Sequence, residues 1–284
     1  MRGRSAMDLI SVVWEVRPER AASLPRWLGY AVYGAVLRRL AERDAARAAE
    51  VHEAEGPSGL TCSTLMGPRE GEAVDPGRVY RLRVTAYRPE LAPLIDPEGG
   101  VLWGEGERIE LEGVPFRVER VIREGDPWAG WTTYEELIAR HGRGPRAWPR
   151  EVTLQFTSPT AFRDGERWNP LPVPEAVFGH LMEKWNRFAP AVLPEVLREM
   201  VAARVGVARF DLSSRAVRVK EGVRIGCVGQ VRYRVLGEDR YLQAMLHMLA
   251  EFARYAGVGI LTGMGMGQAR ALREEERPGP DAGA

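Results

Sequence analysis

The chain contains little lysine, cysteine or histidine, and these scarcities narrow the classes of protein it can belong to. Arginine carries nearly all of the positive charge, since only Lys184 and Lys220 are lysines among 40 basic residues. Two cysteines, Cys62 and Cys227, are too few for a disulfide framework or a cysteine zinc site. No apolar run approaches the roughly 20 residues that cross a bilayer, so we expect no membrane partner.

The overall composition is that of an ordinary globular protein. Hydrophobic residues make up 45% of the 284 and charged residues 28%, which suits one large domain or two of ordinary size. The net charge of +1 excludes a globally basic nucleic-acid binder, so any nucleic-acid surface must be a local patch. The first seven residues are charged but lack the apolar stretch of a secretory signal, which predicts cytoplasmic residence.

A glycine-rich segment near the C-terminus is the most informative motif. Its five glycines are Gly257, Gly259, Gly263, Gly265 and Gly267. Residues 239–256 directly before it carry an apolar helical stripe, so Gly257 is expected to end a helix. Nucleotide-binding loops instead follow a strand and open a helix, and no Gly-Lys-Ser/Thr occurs here. An NTP-dependent enzyme is therefore disfavoured, whereas a tightly packed turn and a functional loop both stay open.

The apolar periodicity predicts an α+β fold in which one element order occurs twice. In the first half we expect strands at residues 9–16, 60–65, 79–87 and 114–122, a helix over 28–51, and a short helix or turn over 89–97. In the second half we expect strands at 152–157, 216–225, 228–235 and 268–273, and helices over 173–189, 194–205 and 239–256. Each half approximates strand–helix–strand–strand–helix–strand, the ferredoxin-like unit.

Two segments are expected to lie outside these units. Residues 124–150 are rich in glycine, proline and tryptophan, and they predict an ordered linker with a small helix over 133–141. Residues 274–284 are rich in Glu, Pro and Gly and predict a disordered tail. We therefore expect an N-terminal domain over residues 1–148, which includes the linker, and a C-terminal domain over 149–284.

Three segments, taken together, resemble a known protein family. They are the glycine-rich segment, the His-Glu-x-x-Gly-Pro motif of residues 52–57 before a predicted strand, and Phe-Thr-Ser-Pro-Thr-Ala-Phe-Arg at residues 156–163. In this order they are similar to segments of the CRISPR-associated endoribonucleases that process precursor CRISPR RNA, which are members of the RAMP superfamily. The resemblance implies two tandem ferredoxin-like domains with a cleft between them.

Histidine is the side chain best suited to move protons in metal-free RNA cleavage, because its ordinary pKa is about 6.5. His52 lies just after the first predicted helix and just before Gly56-Pro57, where an exposed side chain can face a cleft, and the resemblance implies a catalytic histidine in this segment. His180 and His247 lie among apolar helical residues and are expected to be structural. His141 is expected to be solvated in the linker helix.

Two positions depart from the pattern of some relatives. An alignment without gaps places Leu37 where those relatives carry tyrosine, and Ser58 where they carry lysine. The side chain of Leu37 has no polar atom and cannot polarise a hydroxyl. Ser58 has no charge and cannot offset the negative charge that develops on a pentavalent phosphate. Either His52 works with other groups or turnover is slow. Candidate substitutes are Arg38, Arg39, Arg43, Thr61 and Ser63.

RNA binding is assigned to backbone amides of the glycine-rich segment and to basic side chains on nearby strands. Glycine lets a phosphate approach the backbone closely, and neutralisation of phosphate charge dominates affinity for nucleic acid. The RNA-binding assignment therefore covers the five glycines and the side chains of Arg218, Lys220, Arg224 and Arg232.

The sequence thus predicts a metal-independent endoribonuclease that cleaves CRISPR repeat RNA by attack of a 2′-hydroxyl. The products would be a 2′,3′-cyclic phosphate (or a 3′-phosphate) and a 5′-hydroxyl, and we expect no cofactor and no metal. The alternative is a non-catalytic subunit that holds crRNA in a CRISPR effector complex, which Leu37 and Ser58 favour and His52 opposes. The sequence leaves open a homodimer or an effector complex as protein partners.

Overall fold

The computed structural model describes residues 7–69, 71–99, 102–142, 148–219 and 222–276. The first half of the chain forms β1 (Leu9–Pro18), β2 (Ala22–Ser23), α1 (Gly29–Ala41), α2 (Ala45–Glu53), β3 (Leu60–Cys62), β4 (Ala73–Val74), β5 (Tyr80–Ala86), α3 (Ala92–Ile95), β6 (Arg108–Leu111), β7 (Val114–Ile122), β8 (Gly130–Thr132) and α4 (Tyr134–Gly142). A 3-10 turn follows α3 at Pro97–Gly99.

The second half forms β9 (Glu151–Thr160), β10 (Phe162–Asp164), β11 (Arg167–Asn169), α5 (Pro174–Phe188), α6 (Val196–Arg204), β12 (Val205–Val219), β13 (Gly222–Val235), α7 (Arg240–Ala256) and β14 (Ala269–Ala271). Single 3-10 turns lie at Thr262–Met264 and Glu274–Glu276. Among the residues that the structure describes, no helix is both long and apolar enough to cross a bilayer.

The two main sheets have the same strand order. In the first sheet the order is β3-β5-β1-β7-β6, and in the second it is β12-β13-β9-β14, with every pairing antiparallel. Numbered along the chain, β3-β5-β1-β7 of the first sheet and the four strands of the second sheet both have the order 2-3-1-4. This is the strand order of the ferredoxin-like fold, so the chain is an α+β protein with two ferredoxin-like domains in tandem.

Alternation along β1 shows why the first sheet folds against helices. Ile10, Val12, Trp14 and Val16 point to one side and share a core with Val32, Val36 and Leu40 of α1. The next residues along the strand point to the opposite side of the sheet, where Ser11, Thr61 and Thr85 are also buried. The cleft predicted between the domains stays a prediction.

The described residues form two compact units. Unit 1 holds the residues up to Glu136 together with Lys184–Ala191 and Leu261–Met266. Unit 2 holds Leu137–Glu183, Val192–Ile260 and the residues from Gly267 onward. The predicted domains, residues 1–148 and 149–284, are continuous segments of the chain, and that division stays a prediction.

The single helix predicted over residues 28–51 is wrong. The structure divides it into α1 and α2, because Asp44 takes a non-helical conformation and its carboxylate accepts a hydrogen bond from the Arg47 amide at 2.8 Å. As a consequence, α2 continues to Glu53 and His52 lies within its last turn rather than beyond the helix.

The hairpin predicted near residues 216–235 is present, but its turn lies elsewhere. The prediction ended the first strand at Ile225, whereas Gly226 and Cys227 lie inside β13 and pair with Arg215 and Ser214 of β12. Gly226 is needed there for close packing, since a Cβ on it would lie 2.7 Å from the amide nitrogen of Thr160. The strand β6, which pairs with β7, the strand β8 and the hairpin β10–β11 are additions that periodicity missed.

The other predicted elements agree with the structure within a few residues, and two are shorter. The predicted strand at 114–122 coincides with β7, and the linker helix expected at 133–141 is α4. The strands expected at 60–65 and 268–273 are reduced to β3 and β14. Of the tail predicted to be disordered, Glu274–Glu276 forms a 3-10 turn and residues 277–284 lie outside the described residues.

Candidate active site

His52 is presented at the surface by a short helix whose two ends are held in unit 1. Its side chain is exposed, while Val51 directly before it is buried in the core of unit 1. The Asp44 side chain caps the N-terminus of α2. At the other end, the hydroxyl of Tyr33 on α1 donates a hydrogen bond to the carbonyl oxygen of Val51, with 3.3 Å between the two oxygens.

Tyr33 is a polar neighbour of the candidate site that the sequence prediction missed. It lies one helical turn before Leu37, the position at which a gapless alignment looks for tyrosine. Burial, with a smaller contribution from Cys62, raises the pKa of the Tyr33 phenol to about 12. The phenol is therefore protonated at neutral pH, and it acts as a hydrogen-bond donor rather than as a base.

The tip of the glycine-rich segment, which contains Gly263 and Met264, packs against α1 and the residues just before it. The indole nitrogen of Trp27 donates to the carbonyl oxygen of Met264 at 3.1 Å. At Gly29 the approach is so close that a Cβ would lie 1.8 Å from the Met264 oxygen, so no side chain fits at the start of α1. Gly263 lies against the ring of Tyr33, whose Cε2 would be 3.4 Å from a Cβ on the glycine.

The stem of the glycine-rich segment is held by unit 2. As predicted, α7 ends before Gly257, which has a φ of 62°. The Gly267 amide donates to the carbonyl of Pro159 at 3.0 Å, and the Ile260 amide donates to the carbonyl of Ala161 at 3.0 Å. At Gly259 φ is +78°, and a Cβ would lie 2.2 Å from the Ala161 oxygen.

These contacts show that the glycine-rich segment packs tightly within the protein. The amides of Gly257 and Gly267 donate to the protein's own carbonyls, and Gly265 is buried with the Thr64 amide nitrogen 3.0 Å from its Cβ position. Gly263 is the half-buried member of the five glycines. RNA binding by these backbone groups stays a prediction, and Gly263 has the most accessible backbone for it.

The predicted basic patch divides into two. Directly paired residues of an antiparallel ladder lie on the same face, and the register places Arg224 opposite Val217 and Arg232 opposite Arg209, whereas Arg218 pairs with Val223. Arg218 therefore lies on the opposite face of the hairpin from Arg224 and Arg232. Lys220 lies outside the described residues.

The arginines of this hairpin also differ in how far their charge is compensated. Arg232 and its neighbour Arg234 share the carboxylate of Glu151, each at 3.6 Å. The guanidinium of Arg224 lies over the ring of Trp168 on β11, 4.9 Å from its centroid. Arg218 is exposed, and no carboxylate among the described residues lies within ion-pair distance of it. Among these arginines, Arg218 is therefore the one whose charge we expect to be most available to a phosphate, and its binding of RNA stays a prediction.

The remaining histidines lie in unit 2 and have structural surroundings. His141 was predicted to be solvated, which is wrong, because its ring is buried and stacks on Trp148 with 4.4 Å between ring centroids. Its Nε2 lies 2.8 Å from a carboxylate oxygen of Glu251. His247 also stacks on Trp148, with 5.0 Å between ring centroids, and His180 packs edge-on against Phe162.

Glu251 is the charged group that accompanies His141. Burial alone would raise the pKa of this carboxyl group, but the hydrogen bond from His141 and the nearby charge of Arg140 outweigh burial and hold the pKa below its ordinary value. The cluster therefore fastens α4 to α7 within unit 2.

Most of the residues suggested as substitutes for the missing tyrosine and lysine already form hydrogen bonds or ion pairs within the protein. The hydroxyls of Thr61 and Thr85 hydrogen-bond each other at 2.6 Å, and the Ser63 hydroxyl accepts from the Arg83 amide at 2.8 Å. All of these hydroxyls are buried in the sheet. Arg39 forms ion pairs with Glu42 and Glu107, at 2.9 and 2.7 Å. Arg38 is exposed on α1, and Ser58 hydrogen-bonds the Leu60 amide weakly at 3.4 Å.

The two cysteines are buried free thiols. Burial raises the pKa of both, that of Cys227 to about 11, so each stays protonated at neutral pH. No group of three or more His, Cys, Asp or Glu side chains that could hold a metal ion occurs within the part of the chain that the structure describes.

Comparisons with known proteins identify the family to which this fold belongs. A family model described as CRISPR-associated endoribonuclease Cas6 matches residues 154–269. The fold is similar to that of a Cas6 product complex, with 31% sequence identity and a TM-score of 0.75, over 93% of this chain and 99% of that one. The chain belongs to the Cas6 family.

Two further similar proteins come from bacteria. Thermus thermophilus Cas6 is 28% identical, with a TM-score of 0.70, over 94% of this chain and 100% of that one. The Cas6 endoribonuclease of Streptococcus thermophilus is 26% identical over 128 residues, which are 44% of this chain and 51% of that protein. Sequence matching thus spans about half the length of the curated relatives, whereas the fold match spans whole chains.

Proposed function

We propose that this Cas6 family member is an endoribonuclease that cleaves CRISPR repeat RNA without a metal ion. Its partner is precursor CRISPR RNA, which it cuts within the repeat. Two lines of support converge: the chain belongs to a family named for this activity, and an exposed histidine stands where the family resemblance implies the proton-transfer group.

The chemistry is an internal transesterification. The 2′-hydroxyl loses its proton, its oxygen bonds to the adjacent phosphorus, and the bond from phosphorus to the 5′-oxygen breaks. The departing 5′-oxygen takes up a proton. The products are a 2′,3′-cyclic phosphate, which water can open to a 3′-phosphate, and a 5′-hydroxyl. His52 either takes the first proton or supplies the second.

The observation that carries this proposal is the setting of His52. Its side chain is exposed, but the backbone beside it is fixed by the Tyr33 hydrogen bond to Val51. A proton carrier must reach substrate while its own position stays defined, and this arrangement satisfies both conditions. The other three histidines pack against aromatic rings in unit 2.

A non-catalytic subunit that holds crRNA is the rival function. Leu37 and Ser58 favour it, because neither can take the part of the tyrosine or lysine found in some relatives. Retention of His52 in an exposed setting opposes it, since a subunit that only binds RNA has no need of a proton carrier there. RNA binding without cleavage under all conditions would establish the rival.

The test is incubation of the purified protein with its host's repeat RNA in excess EDTA, followed by mass spectrometry of the product ends. We expect cleavage at one position with a 2′,3′-cyclic phosphate and a 5′-hydroxyl. RNA with a single 2′-deoxy substitution at the scissile nucleotide is the matched control and should not be cut. Cutting of the deoxy substrate, or cleavage only with magnesium, would exclude internal attack.

Further partners and the location in the cell belong to this proposal. A homodimer or a CRISPR effector complex is compatible with the family, and sedimentation with and without repeat RNA would detect self-association. Cytoplasmic residence follows from a substrate that is a cellular transcript.

A further inference from the structure

The segment that carries His52 has an acidic character that does not suit a phosphate. Glu53 and Glu55 follow the histidine directly, and both side chains are exposed. A phosphodiester that approaches His52 brings one negative charge, and the charge on its oxygens grows as the 2′-oxygen attacks. Ser58 supplies no compensating cation. A basic group from another part of the chain would offset this charge if it lay near the segment.

Arg187 lies beside the turn that follows α2. Its Nη1 nitrogen is 3.9 Å from the position that a Cβ on Gly56 would occupy, and Gly56 is four residues after His52. The Arg187 side chain is exposed, and no carboxylate among the described residues lies within ion-pair distance of it. Its charge is thus available at the segment that needs a cation.

The end of α5 holds Arg187 at this place. Lys184–Phe188 belong to unit 1, where the buried Trp185 ring packs edge-on against Tyr134 with 5.0 Å between centroids. The Trp185 indole nitrogen donates to the Ala191 carbonyl at 2.8 Å. Phe188 packs edge-on against Tyr87 at 5.6 Å. Because Trp185 and Phe188 on either side are anchored, the backbone of Arg187 is held in place, and its side chain extends to Gly56.

Arg88 is a second arginine at the same segment, but its charge is compensated. Its side chain packs on Gly59, and its guanidinium forms ion pairs with Glu50 at 2.8 Å and with Glu90 at 3.1 Å. The hydrogen bond from Arg88 holds the pKa of Glu50 below its ordinary value, although burial acts in the opposite direction. Arg88 is therefore a matched control for Arg187, because carboxylates compensate the charge of Arg88 and no such ion pair is seen for Arg187 among the described residues.

We infer that Arg187 binds the scissile phosphate and stabilises the charge that develops on it during cleavage. The inference rests on the proposed function, and it assigns to a residue of α5 the task that Ser58 cannot perform. A guanidinium can donate two parallel hydrogen bonds to phosphate oxygens and carries a full positive charge. Arg187 would be a catalytic residue, and His52 would remain the group that moves protons.

The test compares Arg187→Gln with Arg88→Gln in single-turnover cleavage at saturating protein, in EDTA. We expect Arg187→Gln to lower the rate by roughly 10²-fold, the usual effect of removing one donor to a developing oxyanion. Affinity for the uncleavable 2′-deoxy RNA should change by no more than a few-fold, because the interaction strengthens in the transition state. Arg187→Lys should restore part of the rate, and Arg88→Gln should cleave nearly as fast as wild type.

The pH dependence adds a second readout. The pH–rate profile of Arg187→Gln should keep the shape of the wild-type profile at a lower plateau, because arginine does not titrate in this range. A wild-type rate in Arg187→Gln would overturn the inference. Weakened binding with an unchanged rate at saturation would overturn it as well, since Arg187 would then be an ordinary RNA contact. Failure of the wild-type protein itself to cleave repeat RNA would instead contradict the proposed function.

Discussion

The hydroxyl of Tyr33 reaches the carbonyl of Val51, with 3.3 Å between the oxygens, and thereby joins α1 to the residue directly before His52. The distance exceeds the usual ~2.7–2.8 Å for such a bond, so we assign it a modest energy. Its significance is positional, because it connects the helix that contacts the glycine-rich segment to the candidate proton carrier.

Removal of this hydroxyl should therefore affect cleavage more than folding. We expect Tyr33→Phe to lower the free energy of unfolding by about 1 kcal/mol or less and to slow cleavage several-fold, with unchanged affinity for RNA. Tyr80→Phe is the control, since its hydroxyl accepts a hydrogen bond from the Asp75 amide elsewhere in unit 1. Equal cleavage rates in the two variants would show that Tyr33 has no part in positioning His52.

A comparison of Gly259, in the glycine-rich segment, with Gly237, outside it, separates the effect of close packing on stability from that of backbone strain. Gly259 and Gly237 have nearly the same φ, +78° and +79°, but only Gly259 has atoms within 4 Å of its Cβ position. Alanine at either site costs about 1–2 kcal/mol from the left-handed conformation, and at Gly259 overpacking adds about 1–3 kcal/mol. Urea denaturation should show the difference. Equal losses of stability would mean that the close approach to Ala161 is easily relieved.

The hairpin arginines are expected to contribute unequally to RNA binding. Arg218→Gln should weaken binding and lower the slope of log Kd against log salt by about 0.7–0.9, the value for one lost phosphate contact. Arg232→Gln should change both quantities less, because Glu151 already lies beside that guanidinium. Affinity titrations at several salt concentrations provide the measurement. A larger effect at Arg232 would indicate that RNA displaces the carboxylate.

The interaction of Glu251 with His141 predicts that the free energy of unfolding depends on pH. The folded state holds the pKa of Glu251 below its ordinary 4.5, so its contribution is complete above that pH and is lost as the pH falls through the folded value. At pH 7 we expect Glu251→Gln to be about 1–2 kcal/mol less stable than wild type. The difference should shrink at pH 3. A difference that is the same at both pH values would show that the charge of Glu251 is not what stabilises the cluster.

Much of the fold could be predicted because its signals are local. The alternating apolar residues of β1 and β7 and the apolar stripe of α7 appear in single short windows, and strand order then follows from the ferredoxin-like arrangement. The break before α2 was missed because Asp44 interrupts an apolar pattern that continues on either side of it. The sequence predicts a turn at Gly226 because the reason for this glycine, its close contact with Thr160 of β9, lies 66 residues away in the sequence.

The site was harder to predict than the fold, because its contacts join distant parts of the chain. His52 was found from its residue type and its neighbours, but Tyr33 was overlooked because the helix presents it one turn before the position that a gapless alignment inspects. The contact between Gly29 and Met264 and the approach of the Arg187 side chain to Gly56 arise only in the folded chain. Periodicity carries no information about such pairs.

The central claim is that His52 transfers a proton during cleavage, and its removal is the most direct test. Single-turnover cleavage of repeat RNA in EDTA should be slower by roughly 10²- to 10⁴-fold in His52→Ala, with RNA affinity and thermal stability close to wild type. His247→Ala, a histidine of unit 2, is the matched control and should cleave at the wild-type rate. A His52→Ala protein that cleaves nearly as fast as wild type would contradict the account.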